Sequence, residues 1–304
     1  MNVVVLAGGT GSAKLLRGLA RIAPDLTVVA NVGDNFWFHG LYVCPDVDVA
    51  MYTLAGLSDR KKGWGIDGDT FNVLRQLSKL GLETWFKLGD IDMATSLLRT
   101  QLLARGKSLT EVTKRISEAF GLHNPVLPAT DSAEETRLIT KSGSLHLQEY
   151  WVRDHGRPRV FRVHYKGARS ASPTKAVKRA LAGADKVILC PANPITSVGP
   201  ILAINGMRKL LSDSKAEVVA LSPMVGSGPF SGPAGRLMKQ LGLEPDSLGV
   251  ASLYADLVHR FVIDRSDASQ KPAIERLGMV CEVTSTLMRN GSDEERIAAV
   301  LLKT

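Results

Sequence analysis

The chain has 304 residues, 44% of them hydrophobic and 22% charged, with a formal net charge of +8. Its length suits about two domains or one domain with an insertion, its apolar content excludes a disordered chain, and no apolar run approaches the ~20 residues of a membrane helix. Three scattered cysteines, Cys44, Cys190 and Cys281, fit neither a disulfide framework nor a paired-cysteine metal site, and with no secretory leader ahead of Val3 the expected setting is a reducing cytoplasm.

Val3 to Leu6 is a fully apolar, β-branched run of the kind a parallel sheet buries on both faces. Glycines follow, then Leu15, Leu16, Leu19 and Ile22 at helical spacing, a stop at Pro24, and a second apolar run from Leu26 to Ala30. This is a βαβ unit. From about Gly56 three helical patterns succeed one another, near Asp69–Leu80, Ile91–Ala104 and Leu109–Phe120, broken by Gly81, Gly106 and Gly121. Residues 56–124 therefore read as a helical insertion into a core made of 1–55 and 125–304. Arg137–Thr140 and Leu145–Trp151 flank Ser142-Gly143 as a hairpin. Basic residues from Arg153 to Arg169 lack the interleaved aromatics of a nucleic-acid binder and read as a solvated face.

Alternation returns after Ser170. A helix near Thr174–Ala182 precedes the run Lys186–Cys190, the turn Pro191–Pro194, a helix over Ile201–Leu211 and the strand Glu217–Leu221. A Gly/Pro/Ser-rich loop spans Pro223 to Gly235, a short helix closes on Met238–Leu241, and Val262–Asp264 is a late strand. The fold class is α/β: a doubly wound, Rossmann-like parallel sheet with a helical insertion and a small β-hairpin extension.

In such a sheet ligands bind beyond the carboxyl ends of the strands. The first loop there is Gly8-Gly9-Thr10-Gly11-Ser12-Ala13-Lys14, a strand-to-helix turn that also suits phosphate, with Lys14 adding charge. It is neither a Walker loop nor a dinucleotide fingerprint: Leu15 replaces the hydroxyl ligand, Lys14 the third glycine, and Asn31 the ribose-binding acid. Asp34, in Asn31-Val32-Gly33-Asp34-Asn35, is either an Asx-turn residue or a carboxylate for Mg²⁺ beside a diphosphate. Asp46 reads as the N-cap of the helix after Pro45, and Asp48, in its first turn, as a helix-dipole partner or a hydroxyl-proton acceptor. Asn193, Thr196, Ser197 and Ser222 sit in later loops whose amide and hydroxyl groups suit a base or ribose. From spacing alone Asp90 is an N-cap and Lys87 a solvated charge.

Taken together, Gly8-Gly9-Thr10-Gly11 with Lys14-Leu15-Leu16, His39-Gly40-Leu41, Pro45-Asp46, Asp48, Met51 to Gly56, Leu97 to Thr100, Gln148 to Arg153, Asn193-Pro194, Gly199 to Leu202 and Gly232 to Gly235 resemble the 2-phospho-L-lactate transferases of coenzyme F-420 biosynthesis, in order along nearly the whole chain. The resemblance implies a transferase acting on a guanosine-diphosphate-linked lactate or enolpyruvate and on the deazaflavin alcohol Fo. The ribityl hydroxyl attacks phosphorus, GMP leaves, and Mg²⁺ assists. It implies Asp48 and Lys87 as Fo contacts; the chemistry of the transfer then suits Asp48 as the catalytic residue that orients or deprotonates the hydroxyl and Asp34 as the metal ligand. Gly9, Thr10, Gly11, Ser12, Lys14, Asn31, Asn193, Ser197 and Ser222 form the nucleotide and phosphate set. The aromatic groups Phe36–Phe38 and Trp85-Phe86 suit a flat ring. A homodimer is expected by the same resemblance, with no nucleic-acid partner and no membrane.

Two other readings fit less well. Nucleotide-sugar-binding regulators share the glycine opening but carry a Gly/Ser-rich run where this chain has Phe36-Trp37-Phe38-His39. An NAD-dependent oxidoreductase is disfavoured by Lys14 and Asn31.

Overall fold

The computed structural model describes residues 1–226, 228–229 and 234–303. Ser227 and residues 230–233, part of the expected Gly/Pro/Ser-rich loop, lie outside the described residues.

A parallel sheet of seven strands forms the centre: β1 (Val3–Ala7), β2 (Leu26–Ala30), β3 (Val126–Pro128), β4 (Lys186–Leu189), β5 (Glu217–Leu221), β6 (Arg260–Asp264) and β7 (Val280–Thr284). Across the sheet the order is β7-β6-β5-β4-β1-β2-β3. The chain thus leaves β1 toward one edge and later returns to build the other, so the switch point lies between β1 and β4. In register, Val5 stands beside Val28 and Ile188. Every residue of β1 and β4 is buried, which is why β1 is a continuous apolar run and β4 is apolar after Lys186, whose ammonium bonds Glu217. The strands β3 and β7 go beyond the sequence reading. One has three residues, and the other is an edge strand whose residues, except Cys281, are at least partly exposed.

The first helix, α1 (Ser12–Ile22), and the second, α2 (Pro45–Leu54), follow β1 and β2. Three insertion helices stand where expected: α3 (Asn72–Lys79), α4 (Asp90–Ala104) and α5 (Leu109–Ala119). The caps of α3 and α4 are exchanged. Asp90 accepts from the N–H groups of Asn72 and Val73 at the start of α3, and Asp69 accepts from the N–H of Ile91 in α4. Leu109, Val112 and Ile116 of α5 join the main core, whereas Leu74, Leu88 and Met93 make a smaller core with Phe38 and Val43. Those two come from a hairpin, Phe36–Phe38 with Leu41–Val43, turned by His39 (φ 49°) and Gly40 (φ 76°). Two successive positive φ angles are what a tight hairpin with the natural strand twist requires.

The extension differs from expectation in its second half. Glu135–Thr140 pairs with Gly143–His146 and with a third strand, Val160–Lys166. The expected strand through Trp151 ends at His146, and Glu149–Arg153 is a π-helical turn. The expected helix over Ile201–Leu211 is two, Val198–Ala203 and Met207–Ser212. A final helix, Gly291–Leu302, packs against α1, where Arg17 and Glu294 pair at 2.6 Å. All three cysteines are free and buried. Among the described residues no helix is long and apolar enough to cross a membrane.

Candidate active site

The loops after β1 and β4 meet at the switch point. Gly8, Gly9 and Gly11 are there because nothing larger fits. A Cβ on Gly8 would lie 2.9 Å from Asp46 Oδ2, one on Gly9 2.9 Å from Ser197 Oγ, and one on Gly11 2.7 Å from the Pro191 carbonyl oxygen. Gly9 also has a φ of 64°. Ser12 locks the loop from below: its hydroxyl accepts from the Gly8 N–H and donates to the Gly8 carbonyl at 2.7 Å. On the β4 side, Asn193 Oδ1 accepts from the N–H groups of Ile195 and Thr196. Its Nδ2 is buried with no protein partner, and the residue lines the cleft. Gly9, Thr10, Gly11, Asn193, Thr196 and Ser197 together wall one end of a cleft of about 340 Å³.

The floor is acidic. Asn31 Nδ2 donates to Asp34 Oδ1 at 2.6 Å and to Asp46 Oδ2 at 2.8 Å, so one fully buried amide joins two buried carboxylates. Burial, followed by repulsion from Asp46 and Glu134, holds the Asp34 carboxyl well above the usual range, against the Asn31 hydrogen bond. Burial raises Asp46 to about 6, opposed by Asn31 and the Gly9 backbone. Gln148 Nε2 reaches Asp34 Oδ2 at 3.3 Å. Gln148 is itself placed by His146, whose Nδ1 accepts its N–H. Glu134 is buried with neither oxygen hydrogen-bonded, and burial lifts it to about 8.

The opposite end is built by the two appended parts. The insertion supplies Phe86 and Lys87, and the extension supplies Leu147, Gln148, Trp151 and Val152; Trp64, also from the insertion, lines the cleft next to Gly63, where a Cβ would lie 3.8 Å from the Thr10 Cβ. The guanidinium of Arg153 lies 6.0 Å from the Trp85 ring, bridging the two parts. Of the other expected aromatics, Phe36, Phe38 and Trp85 pack in the small core, and Trp37 is exposed.

Several expected site residues are placed elsewhere. Asp48 does not line the cleft: it pairs with the fully buried Arg99 of α4, which also donates to the Tyr42 carbonyl. Helical geometry is the reason. Pro45, Asp46 and Val49 face the cleft, and residue 48 lies about 200° round from residue 46 at 100° per residue. Asp46 is correspondingly not the N-cap, which is Cys44. Lys14 donates to the Met288 carbonyl at 2.8 Å, Ser12 serves the loop, and Ser222 bonds Ser247; none of the three lines the cleft. The sequence reading missed Asp46, Trp64, Gln148 and Trp151 as lining groups. For Asp46, its i,i+3 spacing to Val49 was the available signal.

Residues 3–285 match the family model described as 2-phospho-L-lactate transferase CofD. The chain belongs to that family. It is 42% identical to the 2-phospho-L-lactate transferase of Methanosarcina acetivorans, over 97% of this chain and 96% of that one. It is 38% identical to the protein of that name from Methanocaldococcus jannaschii, over 99% and 97%. It is also 38% identical to the phosphoenolpyruvate transferase of Kitasatospora aureofaciens, over 95% and 92%. The UPF0052-family crystal structure from Bacillus halodurans shares the fold at a TM-score of 0.67 and 17% identity, covering 99% of this chain and 98% of that one. Like its CofD-family relatives, the chain is a transferase.

Proposed function

We propose that this enzyme transfers a 2-phospho-L-lactyl or phosphoenolpyruvyl group from a guanosine-diphosphate-linked donor to the ribityl hydroxyl of the deazaflavin alcohol Fo, forming the first F-420 species. The observation that carries this reading is a single cleft with two unlike ends: glycine turns with buried acids at one, Phe86, Trp151 and Lys87 at the other. The first suits a diphosphate and its nucleoside, the second a planar ring with a polar chain.

The hydroxyl oxygen of Fo attacks the phosphorus that bears the lactyl group. The bond from that phosphorus to the bridging oxygen breaks, and GMP leaves with the electron pair. Asp46 presents a carboxylate to the cleft and takes the hydroxyl proton. Asp48, paired with Arg99, acts by holding α2 and hence Asp46 in place. Loop N–H groups and the Asn193 amide hold the donor, since such transfers need positioning and charge neutralisation above all.

Asp34 is the residue that would hold Mg²⁺, with Asp46 beside it. The donor set fits: hard oxygen ligands, buried together, with the Asn31 amide bonded to both. Among the described residues no three or more His, Cys, Asp or Glu groups are placed to hold a metal ion, so other oxygen donors would have to complete such a site. When bound, the cation neutralises charge on the transferred group. We further propose a homodimer, supported by the exposed Ile91, Leu97 and Leu98 of α4. A monomer mass by light scattering would refute it.

Mass spectrometry of the product formed from Fo with each donor in turn tests the activity. The expected result is one phospho-acyl adduct of Fo plus GMP. No product from either donor, with thermal stabilisation by NAD or a UDP-sugar and none by Fo or GDP, overturns the proposal.

A further inference from the structure

The donor end has a charge deficit. The ionisable side chains lining the cleft are Asp34, Asp46 and Lys87, and Lys14, the cation expected beside the glycine loop, is engaged with the Met288 carbonyl. A nucleoside diphosphate would therefore meet two acids at the floor and one ammonium at the far end.

The missing cations stand on the insertion. The segment Ser58 to Ile66 is closed by a β-bridge between its ends. Asp59 holds it in shape: its Oδ1 accepts from the N–H groups of Lys61 and Lys62, its carbonyl accepts from the Gly63 N–H, and its own N–H donates to the Gly65 carbonyl. Lys62 closes the turn by pairing with Asp59 at 2.9 Å and lies over the Trp64 and Phe71 rings. Asp59 is thereby held at about 2. The tip rests on the glycine loop: a Cβ on Gly63 would come within 3.8 Å of the Thr10 Cβ. The next residue, Trp64, lines the cleft with Thr10. Arg60 and Lys61 are exposed, and among the described residues neither side chain has a hydrogen-bond or carboxylate partner. An ordered loop thus carries two uncommitted cations to the rim of the phosphate end, while its third cation is spent on holding the loop's shape.

We propose that this loop is a phosphate clamp, in which Arg60 and Lys61 bind the outer oxygens of a diphosphate seated on Gly9–Gly11. The guanidinium fork suits two phosphate oxygens at once, and the ammonium adds a point charge. The clamp rests on the donor reading above and sharpens it by naming which side chains answer the diphosphate.

The test is calorimetric titration of wild type and the double variant Arg60→Ala/Lys61→Ala with GDP, guanosine and inorganic pyrophosphate, at two salt concentrations. The clamp predicts that the double variant binds GDP and pyrophosphate about tenfold or more weakly, with a shallower salt dependence. Guanosine affinity and the melting temperature stay unchanged. Unchanged GDP affinity in the double variant, or equal loss for GDP and guanosine, overturns the clamp and leaves the donor reading standing. Wild-type protein that binds pyrophosphate through these residues but does not discriminate GDP keeps the clamp and overturns the guanosine donor. Wild-type protein that binds neither GDP nor pyrophosphate overturns both.

Discussion

The two ends of the cleft are made in different ways. The donor end is a property of the sheet: the turns after β1, β2 and β4 share one edge because the strands are parallel, and their glycines, amides and acids converge without outside help. The acceptor end has no such scaffold. It is assembled from an insertion and an extension far apart in the chain, held by the Arg99–Asp48 pair and the Arg153–Trp85 contact. One end of the cleft is thus built on the sheet, and the other on appended parts, which under the proposed function would shape the second substrate's site.

That division can be broken experimentally, and the largest effect is expected at the floor. Asp46→Asn should lower turnover by roughly two to four orders of magnitude, the usual range for a lost general base, and change GDP affinity far less. Steady-state rates with parallel GDP titration decide it. Turnover within tenfold of wild type would return the proton to some other group. Next is Arg99→Ala, which strands Asp48 in a buried site. About 3–5 kcal/mol of stability should be lost, as when one member of a buried pair is removed, with turnover at low temperature reduced through misplaced α2. Denaturant unfolding reads the first, and wild-type stability in this variant would show that the pair does not anchor the insertion.

Gly11→Ala should weaken GDP about tenfold, since a methyl group 2.7 Å from the Pro191 carbonyl costs on the order of 1–3 kcal/mol in a packed site. Fo affinity should hold. Equal losses for both ligands would mean that the two ends are not separable. Trp151→Ala should do the reverse, raising KM for Fo several-fold for the loss of one aromatic contact, ~0.5–1.5 kcal/mol.

The smallest effect concerns pH. Glu134, at about 8, and Asp92, raised by burial and by Asp48 to about 7, bind protons in the folded chain that the unfolded chain releases at lower pH. Their contribution is therefore present at low pH and lost as pH rises through 7 and 8. The melting temperature of ligand-free protein should rise by a few degrees between pH 8.5 and 6.5, and Glu134→Gln should flatten the profile.

The donor end was largely legible from sequence because its signals are local: an apolar run, a glycine turn and a helical spacing occupy adjacent residues. Even there, identity outran orientation. Lys14 and Asp48 carry the right charges but turn to Met288 and Arg99, and a one-dimensional pattern does not show where a long side chain ends. The acceptor end was legible only in pieces. Lys87 gave no signal of its own, and Gln148 and Trp151 were expected on a strand that becomes a π-helical turn. β3 and β7 escaped because a three-residue strand and a half-exposed edge leave too short or too mixed a pattern to read.

The burial of Asp34 has a last consequence. Burial and the neighbouring carboxylate hold the Asp34 carboxyl well above its usual range, so if Asp34 takes the Mg²⁺ proposed above, filling the site releases acid into the medium. Adding magnesium and nucleotide to the enzyme in weak buffer should acidify the solution, and the apparent affinity should strengthen as the medium is made more alkaline.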